Sequence, residues 1–288
     1  MFPVVVDMEI TAVCNLSCRF CFGPPKNDTC QNLSASFWID VLSCVRDHGA
    51  EWVVFTGGEP TIRGDLPAIC RHAKEIGLTV VLTSHGRFAD KIINCLPWVD
   101  WLGLPIDGIT KNILCLMRGD EWDITNLEAL IYKAKNRSPN IGIKIGTVAT
   151  KLNMHEIPQI GVLLKGRGLP VDTWKIYQYT YTPMARKYNK IFKVTNHEFD
   201  CLRGKVLKAL PDTKFNIYFS SNKSRNRAYM FIYPNGTVAI PKIGTNVKDI
   251  IIGNIPQKGY KIFDSILGLD QKNHKNNLNT TYQRKVLI

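Results

Sequence analysis

With 288 residues, 45% of them hydrophobic, the chain is long enough for one large domain or two small ones around a sizeable core. No apolar run approaches the roughly 20 residues of a membrane span, and Met1 leads within two residues into the strand-like Pro3-Val4-Val5-Val6, so neither a membrane partner nor a signal peptide is expected and a cytoplasmic protein is the default. A formal net charge of +13 favours an anionic partner, phosphate-bearing above all, while nine cysteines, an odd count in a large chain, speak for reduced thiols rather than a disulfide framework.

The first strand is expected over Val4–Thr11 and runs into Cys14-Asn15-Leu16-Ser17-Cys18-Arg19-Phe20-Cys21, which sets three thiols on one short loop. A helix over Ser36–Asp47 leads to a second strand, Trp52–Thr56, that ends in Gly57-Gly58-Glu59-Pro60. Helix Leu66–Ile76 precedes strand Thr79–Thr83 and the turn Ser84-His85-Gly86. Helix Phe88–Cys95 precedes strand Trp101–Ile106 and Asp107-Gly108, with Arg118-Gly119 further on. Helix Ile124–Lys135, strand Ile143–Ala149, helix His155–Lys165, strand Thr173–Tyr179 and helix Asn196–Ala209 complete the series, with Lys144 and Lys175 inside its last two strands. Continuous apolar runs such as Val-Val-Val and Val-Val-Leu mark buried parallel strands, and six βα units make an α/β fold, a partial (β/α)6 barrel. From about Leu210 the pattern changes: Phe215–Ser220 and Tyr229–Ile240 are strand-like, the latter bent at Pro234-Asn235-Gly236, a hairpin signal. The expected organisation is a barrel core over 1–210, a β-containing extension over 211–268 that closes the barrel, and a basic, Asn-rich, flexible tail over 269–288.

The cysteine loop and the three motifs after it follow expected strands, where parallel α/β sheets gather their sites. Three thiolates on one loop can each bind a different iron of a cubane cluster and leave a fourth iron open. Closed by Cys30 or a histidine, the same thiols could instead hold structural zinc. The spacing of Cys14, Cys18 and Cys21, with Phe20 before the last of them, resembles the signature of the radical SAM superfamily. Gly57-Gly58-Glu59-Pro60 is similar to that family's Gly-Gly-Glu-Pro segment, which holds the methionine amino group of S-adenosylmethionine. Ser84-His85-Gly86 resembles its third-strand turn, with His85 where Asn is usual; a surface histidine is the alternative. Asp107 and Arg118 resemble its Asp-Gly and Arg-Gly pair, and Arg118 is expected to meet the methionine carboxylate, against the alternative of an exposed ion pair. The resemblance implies a barrel of radical SAM type, a [4Fe-4S] cluster on the three cysteines, S-adenosylmethionine as cofactor, and an electron donor such as ferredoxin or flavodoxin. Only Cys201 follows Cys115, so no auxiliary cluster is expected.

Within that superfamily the chain resembles the viperin-like enzymes, which form 3′-deoxy-3′,4′-didehydro nucleotides from nucleoside triphosphates. Ile143-Lys144-Ile145-Gly146 and Trp174-Lys175-Ile176-Tyr177-Gln178 are similar to their fifth and sixth strands, and Asn222, Arg225 and Arg227 fall in a segment like their later substrate region. The resemblance implies that Lys144 and Lys175 contact phosphate. A lysine in an apolar strand needs a buried partner, unless its stem carries it to solvent. Thr173 and Gly146 stand where that group has Arg and Asn. The expected activity is hydrogen abstraction from a phosphorylated small molecule. The alternatives are a radical SAM enzyme modifying a peptide or sugar, and a zinc-stabilised nucleic-acid-binding protein.

Overall fold

Strands that read as apolar runs must be covered on both faces, and the computed structural model describes how they are, over residues 2–22, 32–119, 124–181, 188–243 and 248–283. Cys30 and residues 284–288 lie outside the described residues. The strands are β1 (Val5–Glu9), β2 (Trp52–Thr56), β3 (Thr79–Thr83), β4 (Trp101–Pro105), β5 (Gly142–Ala149), β6 (Thr173–Gln178), β7 (Asn216–Ser220), β8 (Phe231–Ile232), β9 (Thr237–Ile240) and β10 (Ile250–Asn254). They form one sheet in the order β10-β9-β8-β1-β2-β3-β4-β5-β6-β7. From β1 to β7 every pairing is parallel, so the six expected strands are joined by a seventh.

The helices are α1 (Ala35–Asp47), α2 (Leu66–Glu75), α3 (Ala89–Cys95), α4 (Lys111–Arg118), α5 (Ile124–Arg137), α6 (Ile157–Gly166), α7 (Asn189–Phe192), α8 (Asn196–Ala209), α9 (Asn222–Arg225), α10 (Ile255–Lys258) and α11 (Gln271–Thr281). Local chemistry fixes their starts. Ser34 accepts from Phe37 N–H at the head of α1, and Thr195 with Glu198 closes a capping box at α8. The main core lies between the helices and the outer sheet face, where Val6, Met8 and Ile10 of β1 pack with Trp38 and Leu42 of α1. No described helix is long and apolar enough to cross a membrane.

Three expectations are sharpened or changed. The hairpin signal at Pro234-Asn235-Gly236 divides Tyr229–Ile240 into two short antiparallel partners, β8 and β9, with Gly236 at φ +78° in their turn, and β8 also pairs in parallel with β1. Helix α4, absent from the sequence reading, is capped by Thr110 at its start and by left-handed Gly119 at its end. The segment expected to be a flexible tail forms α11, which packs on the N-terminal ends of the barrel strands. Its His274 accepts from Val5 N–H through Nε2 at 3.2 Å and donates through Nδ1 to Ala228 O at 2.9 Å. Beyond it, Tyr282 stacks on Trp52 at 5.0 Å and meets Trp101 edge-on at 5.4 Å.

Candidate functional site

A single cavity of about 390 Å³ runs down the barrel from the cysteine loop to α11. At its upper end Cys14, Cys18 and Cys21 line the wall. Leu16 N–H lies 3.4 Å from Cys14 Sγ, and the Arg118 guanidinium lies 4.0 Å from Cys18 Sγ. Gly57 and Gly58 let the second-strand turn press against the loop: Gly58 N–H donates to Thr11 O at 2.7 Å and Glu59 N–H to Val13 O at 2.8 Å.

Glu59 is held on the cavity wall by four hydrogen bonds. Its carboxylate accepts from Thr61 N–H at 3.1 Å, Thr61 Oγ at 2.5 Å, Ser84 Oγ at 2.8 Å and His85 N–H at 2.9 Å, which ties the turn after β2 to the turn after β3. A carboxylate so engaged serves as a bracket between the two turns. His85 is buried, which removes the surface alternative. Its Nδ1 accepts from Arg87 N–H at 3.0 Å, so the neutral ring carries its proton on Nε2 and donates it to Asn15 Oδ1 at 2.8 Å, inside the cysteine loop.

Arg118 is partly buried rather than exposed, its side chain 11% accessible, and is ion-paired with Asp107, with its guanidinium 5.6 Å from the centre of the Phe20 ring. Burial opposes its charge, but the Asp107 carboxylate and the Cys18 thiol outweigh that and hold its pKa above the ordinary value. Among the described residues its Nε donor is buried without a hydrogen-bond partner. Asp107 is held in turn by Val148 N–H at 2.7 Å.

The lower end of the cavity is charged. Lys144 and Lys175 point inward and are buried, so neither stem reaches solvent. Gly103 makes room for the first, since a Cβ there would lie 3.2 Å from Lys144 Cε. Lys144 donates to Tyr282 Oη at 3.4 Å; Lys175 donates to Thr281 Oγ at 2.5 Å and lies 5.2 Å from the Tyr177 ring centre. Burial pushes Lys144 down to about 8, partly opposed by Asp7, and burial with the nearby charges of Lys144 and Arg225 takes Lys175 well below its usual range. Arg225 completes the group, braced by Gln178 O, by Thr180 Oγ at 3.0 Å and by Asn222 Oδ1 at 2.8 Å. Asn222 therefore positions Arg225 and does not line the cavity. Arg227 is a correction to the expected site: it is exposed, with its backbone in the left-handed region at φ +55°, and it too stands outside the cavity lining.

A family model described as the Radical SAM superfamily matches residues 8–164, more than half of the chain. The chain belongs to the radical SAM superfamily. An S-adenosylmethionine-dependent nucleotide dehydratase of a Thermoplasmatales archaeon is 32% identical over 201 residues, which is 64% of this chain and 72% of that protein. A protein of the same description from Selenomonas ruminantium is 27% identical over 181 residues, 59% of this chain and 64% of its own length, so the chain spans less than two thirds of that relative. Among solved structures, Streptococcus suis SuiB bound to S-adenosylmethionine superposes with a TM-score of 0.69 at 17% identity, covering 92% of this chain and 64% of that one, which shows the shared fold.

Membership of the radical SAM superfamily makes the chain an enzyme, sets aside the zinc-stabilised nucleic-acid module, and implies S-adenosylmethionine and a [4Fe-4S] cluster as cofactors. The chemistry of the donor set fits both: three thiols on one loop, which among the described residues do not converge on a single metal ion, beside a partly buried cation, and an unsatisfied Arg118 donor for an anionic group. Asp7, Glu9, Tyr177 and Tyr282 also line the cavity and were not singled out in the sequence. The first two carried a signal there: acidic residues two apart in an otherwise apolar strand face the same side.

Proposed function

We propose that this radical SAM enzyme binds its cluster through Cys14, Cys18 and Cys21 and acts on a nucleoside triphosphate: the C4′ hydrogen is abstracted, and the resulting radical takes one further electron from the reductant and one proton from solvent as the 3′ hydroxyl leaves as water. When bound, the cluster, with electrons from a donor such as a ferredoxin or flavodoxin, supplies reductive cleavage of S-adenosylmethionine to a 5′-deoxyadenosyl radical. Arg118, held by Asp107, orients the methionine carboxylate through its remaining donors, and Glu59, Ser84 and His85 keep the two flanking turns and the cysteine loop in register. Lys144, Lys175 and Arg225 receive the phosphates, which replace Thr281 Oγ and Asn277 Oδ1, the latter 3.4 Å from Lys175 Nζ, as partners of Lys175.

The observation that carries this reading is the continuity of one cavity from the three thiols to three buried cations. Buried cations without a full set of carboxylate partners are costly and suit a polyanionic ligand. The names of the nucleotide dehydratase relatives point the same way. Reconstituted protein incubated anaerobically with S-adenosylmethionine, a reductant and separate pools of nucleotides or peptides should release 5′-deoxyadenosine most strongly with one nucleoside triphosphate. Cys18→Ala should abolish that release, and Lys175→Met should weaken nucleotide binding about tenfold or more. Stimulation by peptides alone would reject the substrate class, and cleavage retained by Cys18→Ala would reject the cluster ligands.

A further inference from the structure

Side chains along β1 alternate between two environments. Val6, Met8 and Ile10 enter the core, whereas Val5, Asp7 and Glu9 line the cavity. Two carboxyl groups therefore stand on the cavity wall, while the cations come from β5, β6 and α9. Asp7 has electrostatic partners in that group: burial raises its carboxyl, Lys144 and Lys175 pull it back, and it stands at about 7.

Among the described residues Glu9 has no such partner: it is 3% exposed, and its Oε2 is buried with no hydrogen bond. The charges that act on it are Asp7 and Asp249, both of like sign, and with burial they push its carboxyl up to about 8. Tyr233, whose phenol feels the charge of Glu9, donates its own proton to Asp249 at 3.2 Å. An unpaired buried carboxyl destabilises the fold and has no structural role to offset that.

We propose that Glu9 is a specificity-determining residue, accepting a hydrogen bond from a hydroxyl or amino group on the nucleoside part of the substrate while Lys144, Lys175 and Arg225 hold the phosphates. This rests on the nucleotide reading above. A carboxyl keeps an acceptor oxygen in either charge state, so the complementary group is an O–H or N–H donor. A site with such a buried acceptor discriminates strongly against a ligand that lacks the donor, because the acceptor then stays unpaired in the closed complex. Inorganic tripolyphosphate satisfies the cations and leaves Glu9 unmet.

The test is calorimetric binding to the reconstituted enzyme with S-adenosylmethionine present, using nucleoside triphosphates and inorganic tripolyphosphate as separate probes. Glu9→Leu should weaken the preferred nucleotide about tenfold or more, leave tripolyphosphate affinity unchanged, and raise rather than lower the melting temperature. Glu9→Gln, which keeps an acceptor oxygen, should recover most of the nucleotide affinity. In the unmodified enzyme, one member of a series of nucleotides each lacking a single sugar or base donor should show the same loss, which serves if the leucine variant does not fold. Unchanged nucleotide affinity in Glu9→Leu, alongside a loss in Lys175→Met, would overturn the role of Glu9 and leave the nucleotide reading standing. Equal weakening of both probes would also overturn it, since that marks a general effect on the pocket. Failure of the unmodified enzyme to bind any nucleoside triphosphate would remove the nucleotide reading and this inference together.

Discussion

At Gly58 the chain passes so close to the cysteine loop that a Cβ would overlap the Val13 carbonyl oxygen and lie 2.6 Å from its carbon. Backbone cannot yield as a flexible side-chain tip can, so Gly58→Ala should destabilise the protein by about 1–3 kcal/mol. The same displacement shifts the thiols, and iron retained after reconstitution should fall with the denaturation midpoint. Full iron loading in a stable Gly58→Ala protein would contradict the coupling of turn to loop. The glycine pair was legible in the sequence, but its partner was not: the contact is with backbone 45 residues earlier in the chain, which no local pattern records. Asp7 supplies a test by pH. Its carboxyl stands at about 7 in the folded protein against an ordinary 3.8. Below 3.8 both states hold the proton; between 3.8 and about 7 the unfolded chain releases a proton that the folded one keeps, so the folded state loses stability as pH rises, and the loss is complete above about 7. Asparagine does not titrate. The melting temperature of Asp7→Asn minus that of the parent should therefore increase between about pH 5 and about pH 7.5. A constant difference would mean that the carboxyl is not buried as described.

Among elements, α11 departs most from what its composition suggests. Asp270 caps it by accepting from Asn273 N–H at 3.0 Å, and its buried residues are His274 and Thr281. A helix whose inward face is mostly polar has little apolar stripe to read: it meets lysines and backbone, with Leu278 packed on the small cluster of Val5, Val54, Val81 and Trp101. By contrast, β1 to β6 were legible because burial on both faces demands continuous apolar runs. Helix α4 left a readable trace in Thr110 and Gly119, a cap at each end, although it is short. The anchor of the C-terminal segment is Tyr282, set against Trp52, Trp101 and Lys144. Tyr282→Ala should destabilise the protein by about 2 kcal/mol or more, through lost aromatic contact and an opened cavity floor. Hydrogen exchange would check the location: protection should fall over α11 and at Val5, whose amide His274 holds, while α5 stays protected. Uniform loss across the sheet would instead make α11 part of one cooperative unit with the barrel.

For the whole molecule, charge acts at two ranges that salt separates. The net charge of +13 is carried mostly by side chains in contact with water, and their attraction for a polyanion is screened over roughly 8–10 Å at ordinary ionic strength. Lys144, Lys175 and Arg225 are buried in the barrel, where screening by mobile ions is much weaker. For the nucleoside triphosphate proposed as substrate, the surface excess should therefore govern how often it arrives, and the buried group how long it stays. Stopped-flow binding across a salt series should show the association rate constant falling several-fold between about 0.05 and 0.5 M salt, with the dissociation rate constant nearly flat. Lys175→Met should reverse the emphasis by raising dissociation and leaving the salt slope of association in place. If salt accelerated dissociation as strongly as it slowed association, the phosphates would be meeting solvent-exposed cations, and the buried group at the foot of the barrel would not be their site.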